Sequence, residues 1–158
     1  MPAVYVASPL GFTVPTRAFY TDTLLPAIAA TGFTVLDPWA ESEEAFARAF
    51  AISPGPGRDE ALRSANHDAG AANERLIRQS TCVFAVLDGE GVDSGTASEV
   101  GFAAALGRPV IGWRSDLRQA GDNSQTLVNL QVEHFVRSAG GSLHLDLDTA
   151  LTALGALR

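Results

Sequence analysis

The sequence predicts an α/β fold: one domain over residues 1–158, with a doubly wound, five-stranded, mostly parallel sheet flanked by helices, of the flavodoxin or Rossmann type. Two observations predict it. Short apolar runs recur at Val4–Ala7, Phe33–Leu36, Cys82–Leu87, Val110–Trp113 and Leu143–Leu145, and stretches with a helical apolar repeat separate them, the alternation that builds a parallel sheet covered on both faces. Polar residues also follow the carboxyl ends of these runs, at Ser8, Asp37, Asp88 to Ser94 and Arg114 to Asp116. In open α/β sheets that edge is where ligands bind.

Each element has its own signals. After the first strand, Ser8-Pro9-Leu10-Gly11-Phe12 supplies turn residues, and Thr16 can cap a helix that runs to about Thr31 with Phe19, Leu24, Ala27 and Ile28 on one face. Pro26 predicts a kink in it, and Gly32 a stop. The second strand ends in Asp37-Pro38-Trp39. Ser42, Glu43 and Glu44 read as the start of the next helix, with an apolar face of Ala45, Phe46, Ala49 and Phe50. Ser53-Pro54-Gly55-Pro56-Gly57 reads as a loop, and a helix from about Asp59 to Gln79 follows, weakened at Gly70. A helix from about Thr96 to Leu106 joins the third and fourth strands. Arg114–Gln125 is polar and reads as a loop, Leu127–Ser138 is helical in period, and Gly140-Gly141 breaks it before the fifth strand. Asp146 or Asp148 caps the last helix.

Composition narrows the function classes. A net charge of −7 opposes binding to nucleic-acid polymers or anionic membranes, which demand a basic face. One cysteine, Cys82, cannot form an internal disulfide, and no signal-peptide pattern or spanning apolar stretch is visible. The expectation is a soluble, cytoplasmic protein. His67, His134 and His144 lack metal-ligand spacing, so no metal or cofactor is expected.

The most informative stretch runs from Val83 to Gly112, VFAVLDGEGVDSGTASEVGFAAALGRPVIG. It sets Asp88, Glu90, Asp93 and Glu99 between two apolar strands. Gly95 and Thr96 lie between Asp93 and Glu99, so a tight helix start can aim backbone N–H groups and an ionised carboxylate into one cleft. A carboxylate placed beside a sugar ring can attack its anomeric carbon, as in retaining glycosidases. Spacing alone favours a second account, with Asp93 or Ser94 a helix cap and Glu99 a solvated first-turn acid, because capping signatures are common.

The run LDGEGVDSGTASEVGFAAALGRPVIG, with YVASPLGF at the start and Asn129-Leu130-Gln131 later, resembles the nucleoside 2-deoxyribosyltransferase family. The resemblance implies that Glu99 is a nucleophile attacking C1′ of a 2′-deoxynucleoside, that the base departs, and that a second base takes its place with retained configuration. It implies that Tyr5 orients Glu99 and that Asp93 accepts a hydrogen bond from the 5′-hydroxyl. It further implies that Asn129 reaches the same hydroxyl from a neighbouring subunit, in a homo-oligomer built from dimers, up to a hexamer. The family often carries an aspartate that protonates the leaving base where this chain has Asn73, and an amide cannot be a general acid. Ala7, Ser8, Leu10, Phe12, Asp37 and Trp39 are expected to line the base pocket, and either Phe12 or Trp39 to stack on the base.

The implied partners are a 2′-deoxyribonucleoside and a free purine or pyrimidine base. Two other functions fit the same fold: a 2′-deoxynucleoside 5′-monophosphate N-glycosidase that passes the sugar to water, and a non-catalytic nucleotide-binding domain. Asp93 opposes the former, because a phosphate beside it would set two anions together.

Overall fold

A computed structural model describes residues 1–158. Five strands, β1 (Ala3–Ala7), β2 (Thr34–Leu36), β3 (Cys82–Val86), β4 (Val110–Trp113) and β5 (Ser142–His144), form one sheet in the order β2-β1-β3-β4-β5 with every pairing parallel. This is the flavodoxin-like order, and its switch point lies between β1 and β3. The central strands carry apolar side chains on both faces because helices cover both. Val4, Val6, Cys82 and Phe84 pack on one side with Tyr20, Leu24, Ile28 and Leu154, while Tyr5, Ala7, Val83 and Ala85 pack on the other with Leu76, Ile77, Val100 and Val136.

The first connection is a helix in three parts: α1 (Val14–Phe19), a π-helical turn over Tyr20–Leu24, and α2 (Leu25–Ala30). Thr13, not Thr16, occupies the cap position; Thr16 instead donates its hydroxyl to the Leu10 carbonyl at 2.6 Å. Pro26 has no N–H to give, and the widened turn before it relieves the clash its ring would cause. Gly32 ends α2 at φ 94°, a left-handed conformation suited to glycine.

The helix after β2 begins earlier than Ser42. Asp37 caps α3 (Pro38–Ala51) by accepting from the Trp39 N–H at 3.0 Å, and Pro38 fills the first helical position, where a missing N–H costs nothing. Ser42 lies inside the helix, its hydroxyl turned back to the Pro38 carbonyl at 2.9 Å. Ala49 is buried, but Phe50, expected on the apolar face, is 59% exposed. α4 (Pro56–Gln79) starts at Pro56, again with proline in the first turn, and passes through Gly70 unbroken.

α5 (Ser94–Ala105) starts two residues before Thr96, with Asp93 as its cap. α6 (Leu130–Ser138) starts at Leu130 rather than Leu127, because Asn129 caps it. β5 ends before Leu145, which is 61% exposed, and Asp146 rather than Asp148 caps α7 (Leu147–Gly155). No helix is long and apolar enough to cross a membrane.

Candidate active site

The carboxyl ends of β1, β2 and β3 bring the chemistry-bearing residues together. Tyr5 is fully buried in β1, registered against Leu36 on one side and Val83 on the other. Its hydroxyl leaves the core to donate to Glu99 Oε1 at 2.7 Å. Glu99 sits in α5, whose start is fixed over the sheet by the Asp93 cap. Asn73, from α4, donates its side-chain amide to the same Oε1 at 3.2 Å. Two elements distant in sequence, β1 and α4, therefore clamp one carboxylate oxygen carried by a third. Glu99 Oε2 receives no hydrogen bond.

Burial pushes the Glu99 carboxyl up to about 7, opposed by the Tyr5 hydroxyl; the nearby Asp93 charge adds to the rise and the Asn73 amide opposes it. Burial and the Glu99 charge push the Tyr5 hydroxyl above its usual range, so it stays a donor. The arrangement leaves a half-buried carboxylate poised near neutrality with one oxygen unencumbered, the state in which a carboxylate serves as nucleophile or base.

Asp93 has two contacts through one oxygen. Oδ2 accepts from the Thr96 N–H at 2.9 Å and from its hydroxyl at 3.3 Å, while Oδ1 has no hydrogen bond. A β-carbon at Gly95 would approach Asp93 Oδ2 to 3.1 Å, which explains a glycine in that turn. The capping account and the ligand account of Asp93 are thus compatible, each using a different oxygen.

The loop after β1 is locked from several directions. The Leu10 N–H donates to Ser8 Oγ at 3.2 Å, the Arg17 guanidinium donates twice to the Gly11 carbonyl, and the Trp39 indole N–H donates to the Ser8 carbonyl at 3.0 Å. The Trp39 ring lies against Gly11, leaving no room there for a side chain. Phe12 meets Trp39 edge-on with centroids 4.5 Å apart and remains 66% exposed, a face open to stacking. Leu10, by contrast, belongs to the core, and Ser8 is nearly buried. Asn129 is exposed and spends its side-chain oxygen on the Gln131 N–H; no hydrogen bond links it to Glu99.

Two structural roles emerge for residues with no role assigned from sequence. Asp88 accepts from the N–H groups of Ser115 and Asp116 and from the Ser115 hydroxyl. Arg114, 3% exposed, donates to the carbonyls of Leu87, Gly89 and Arg118. Together they tie the loop that precedes Asp93 to the end of β4. Tyr20 is the residue that sequence reasoning missed: fully buried, it donates to Asp37 Oδ1 at 2.7 Å. The one hint was Pro26, which marked the helix as irregular.

A family model described as nucleoside 2-deoxyribosyltransferase matches residues 4–136. The chain belongs to the nucleoside 2-deoxyribosyltransferase family. No curated protein matches its sequence. Among solved structures it is similar to a 2-desoxiribosyltransferase from Leishmania mexicana, at 19% identity and a TM-score of 0.68, over 99% of this chain and 98% of that one. It is also similar to a 2-deoxyribosyltransferase from Bacillus psychrosaccharolyticus, at 17% identity and a TM-score of 0.60, over 94% of this chain and 90% of that one. A conserved protein from Enterococcus faecalis V583 matches at 22% identity and a TM-score of 0.67, over 100% and 99% of the two chains. At these identities the structural likeness establishes the fold.

Proposed function

We propose that this family member exchanges the base of 2′-deoxyribonucleosides through a covalent deoxyribosyl–Glu99 intermediate. The observation that carries the reading is the clamp on Glu99: Tyr5 and Asn73 both donate to Oε1 and leave Oε2 for C1′. In the first step Oε2 bonds to C1′ as the C1′–N bond breaks, and its electron pair leaves with the base. In the second step a nitrogen of the incoming base attacks C1′ and Glu99 departs as carboxylate. Two inversions give retention. Water in place of the second base gives hydrolysis as a side reaction.

Tyr5 holds the nucleophile in line. Asn73 shares that task and cannot supply a proton, so the leaving base takes its proton from solvent, and the incoming base gives its own up to solvent in the second step. Asp93 Oδ1 accepts from the 5′-hydroxyl; no cation pairs with this carboxylate, which opposes a 5′-phosphate and disfavours the monophosphate hydrolase. Phe12 stacks on the base beside Trp39 and Asp37. Asn129 uses its free amide N–H to complete a neighbouring subunit's site in a homo-oligomer working in cytoplasmic nucleoside salvage.

The test is incubation of deoxyinosine with free adenine, followed by chromatography. Deoxyadenosine is the expected product. Free deoxyribose without it assigns the protein to hydrolysis, and absence of turnover defeats both enzymatic readings. Glu99→Ala is expected to lower exchange by at least about a thousandfold, given what a lost nucleophile costs, with an unchanged circular dichroism spectrum.

A further inference from the structure

Beside the Glu99 clamp lies a cavity of about 300 Å³ lined by Val35, Leu36, Asp37, Ala40, Glu41 and Leu76, at the small end of the range for small-molecule sites. Its lining adjoins the clamp without including it. Leu36 is the strand neighbour of Tyr5 and packs with it in the same apolar cluster, and Leu76 lies one helical turn beyond Asn73 on α4.

Only two of the lining side chains are polar, and both are carboxylates. Glu41 is held by Arg75 across the α3–α4 seam. Asp37 is held differently: its Oδ1 takes both the Tyr20 hydroxyl and the Trp39 N–H, and Oδ2 takes nothing. Tyr20 comes from the π-helical turn and is fully buried, so its hydroxyl is a fixed donor; burial and the Asp37 charge push its ionisation above the usual range. The Tyr20–Asp37 pair also lies within electrostatic reach of the Tyr5–Glu99 pair, each tyrosine feeling the carboxylate of the other.

We infer that Asp37 sets base specificity, its free Oδ2 selecting bases that present an exocyclic amino group, with Tyr20 as the positioning residue that holds it. The inference rests on the deoxynucleoside reading of the site. An ionised carboxylate only accepts hydrogen bonds. Facing an amino group it gains a charge-assisted bond; facing a carbonyl oxygen it sets two acceptors together in the cleft, where the base has displaced the water that would otherwise satisfy them. Adenine and cytosine are therefore favoured over their oxo counterparts, hypoxanthine and uracil.

Free bases need no turnover to be tested. Calorimetric titration of the wild-type protein with adenine, purine, hypoxanthine, cytosine and uracil is expected to show adenine and cytosine binding about tenfold or more tighter than the oxo bases, the worth of one charge-assisted hydrogen bond. Asp37→Asn keeps a capping side chain for α3 and offers an amide that donates as well as accepts, so the amino-over-oxo ratio falls to within about threefold. Tyr20→Phe keeps the buried ring and lowers the same ratio, whereas a purely structural role for Tyr20 would weaken all bases alike. Equal affinity for amino and oxo bases, or a ratio untouched by Asp37→Asn, overturns the assignment. Binding of none of them overturns it as well. Failure of base exchange in the deoxyinosine assay alongside an intact amino preference removes the transferase reading and leaves the specificity of Asp37 standing.

Discussion

Burial and ionisation pull Glu99 in opposite directions. Its carboxyl is raised to about 7 by burial, against the pull of Tyr5, so the acid limb of kcat/KM is expected near that pH, with activity rising as the carboxylate forms. Tyr5→Phe removes the donor that holds the value down; the limb should move to higher pH and the plateau fall about tenfold or more, the cost of a lost hydrogen bond to a charged group. A pH–rate profile of both proteins checks this, and an unmoved limb counts against the Tyr5–Glu99 contact. The same shift is a stability statement. A carboxyl whose folded value lies above its unfolded one keeps its proton longer when folded, so stability declines as pH rises from about 4.5 to about 7 and the full penalty applies above that. Glu99→Gln should therefore raise stability at pH 8, by on the order of 1–3 kcal/mol, while losing turnover; urea unfolding at pH 8 and pH 4 measures it, with the gain vanishing at the lower pH. Much at this scale was legible in the sequence, since DSGTASE places Asp93 and Glu99 around one helix start. Tyr20 was not, because only folding brings a helix residue onto Asp37.

On helix α5 the proposed function asks one residue to serve both structure and chemistry. Asp93 Oδ2 caps the helix and Oδ1 accepts no hydrogen bond, which under the proposed function leaves it for the 5′-hydroxyl, so two substitutions separate the roles. Asp93→Ala loses the cap and should cost about 1 kcal/mol of stability. Asp93→Asn keeps the cap within a few tenths of that but removes the charge that helps raise Glu99; the acid limb should move to lower pH while KM for the deoxynucleoside rises. Equal stability losses in thermal unfolding, or a limb that stays in place, would separate Asp93 from that double role. Strand positions were readable from apolar runs because a doubly covered sheet needs side chains buried on both faces, as in Val4 to Ala7 and Cys82 to Val86. Helix starts were less so. Thr16 and Ser42 have plausible capping chemistry and Leu127 fits the apolar period, yet Thr13, Asp37 and Asn129 hold the cap positions. A side chain becomes a cap only when the preceding strand or loop delivers it in extended backbone, and that depends on the whole fold.

At the scale of the molecule, the proposed function places a residue of a second subunit over the carboxyl edge of the sheet. Asn129 caps α6 with its oxygen and keeps two amide hydrogens, but no bond within the chain links it to the Glu99 clamp. Leu127 and Leu130 flank it in sequence and are 37% and 53% exposed. Apolar side chains set around a polar donor are what a subunit interface reads as before it is covered. If a two-fold interface carries Asn129 to the partner's sugar, each site takes Glu99 from one chain and Asn129 from the other. Two inactive variants should then rescue each other. Glu99→Ala and Asn129→Ala proteins, unfolded and refolded together in equal amounts, form mixed dimers in which one site regains both residues and the other loses both. With random pairing, roughly a quarter of all sites are restored, so activity should climb to about that share of the wild type. A mixture no more active than its components would place Asn129 in its own subunit's site or outside any site, and the clamp on Glu99 would then have to work with what a single chain provides.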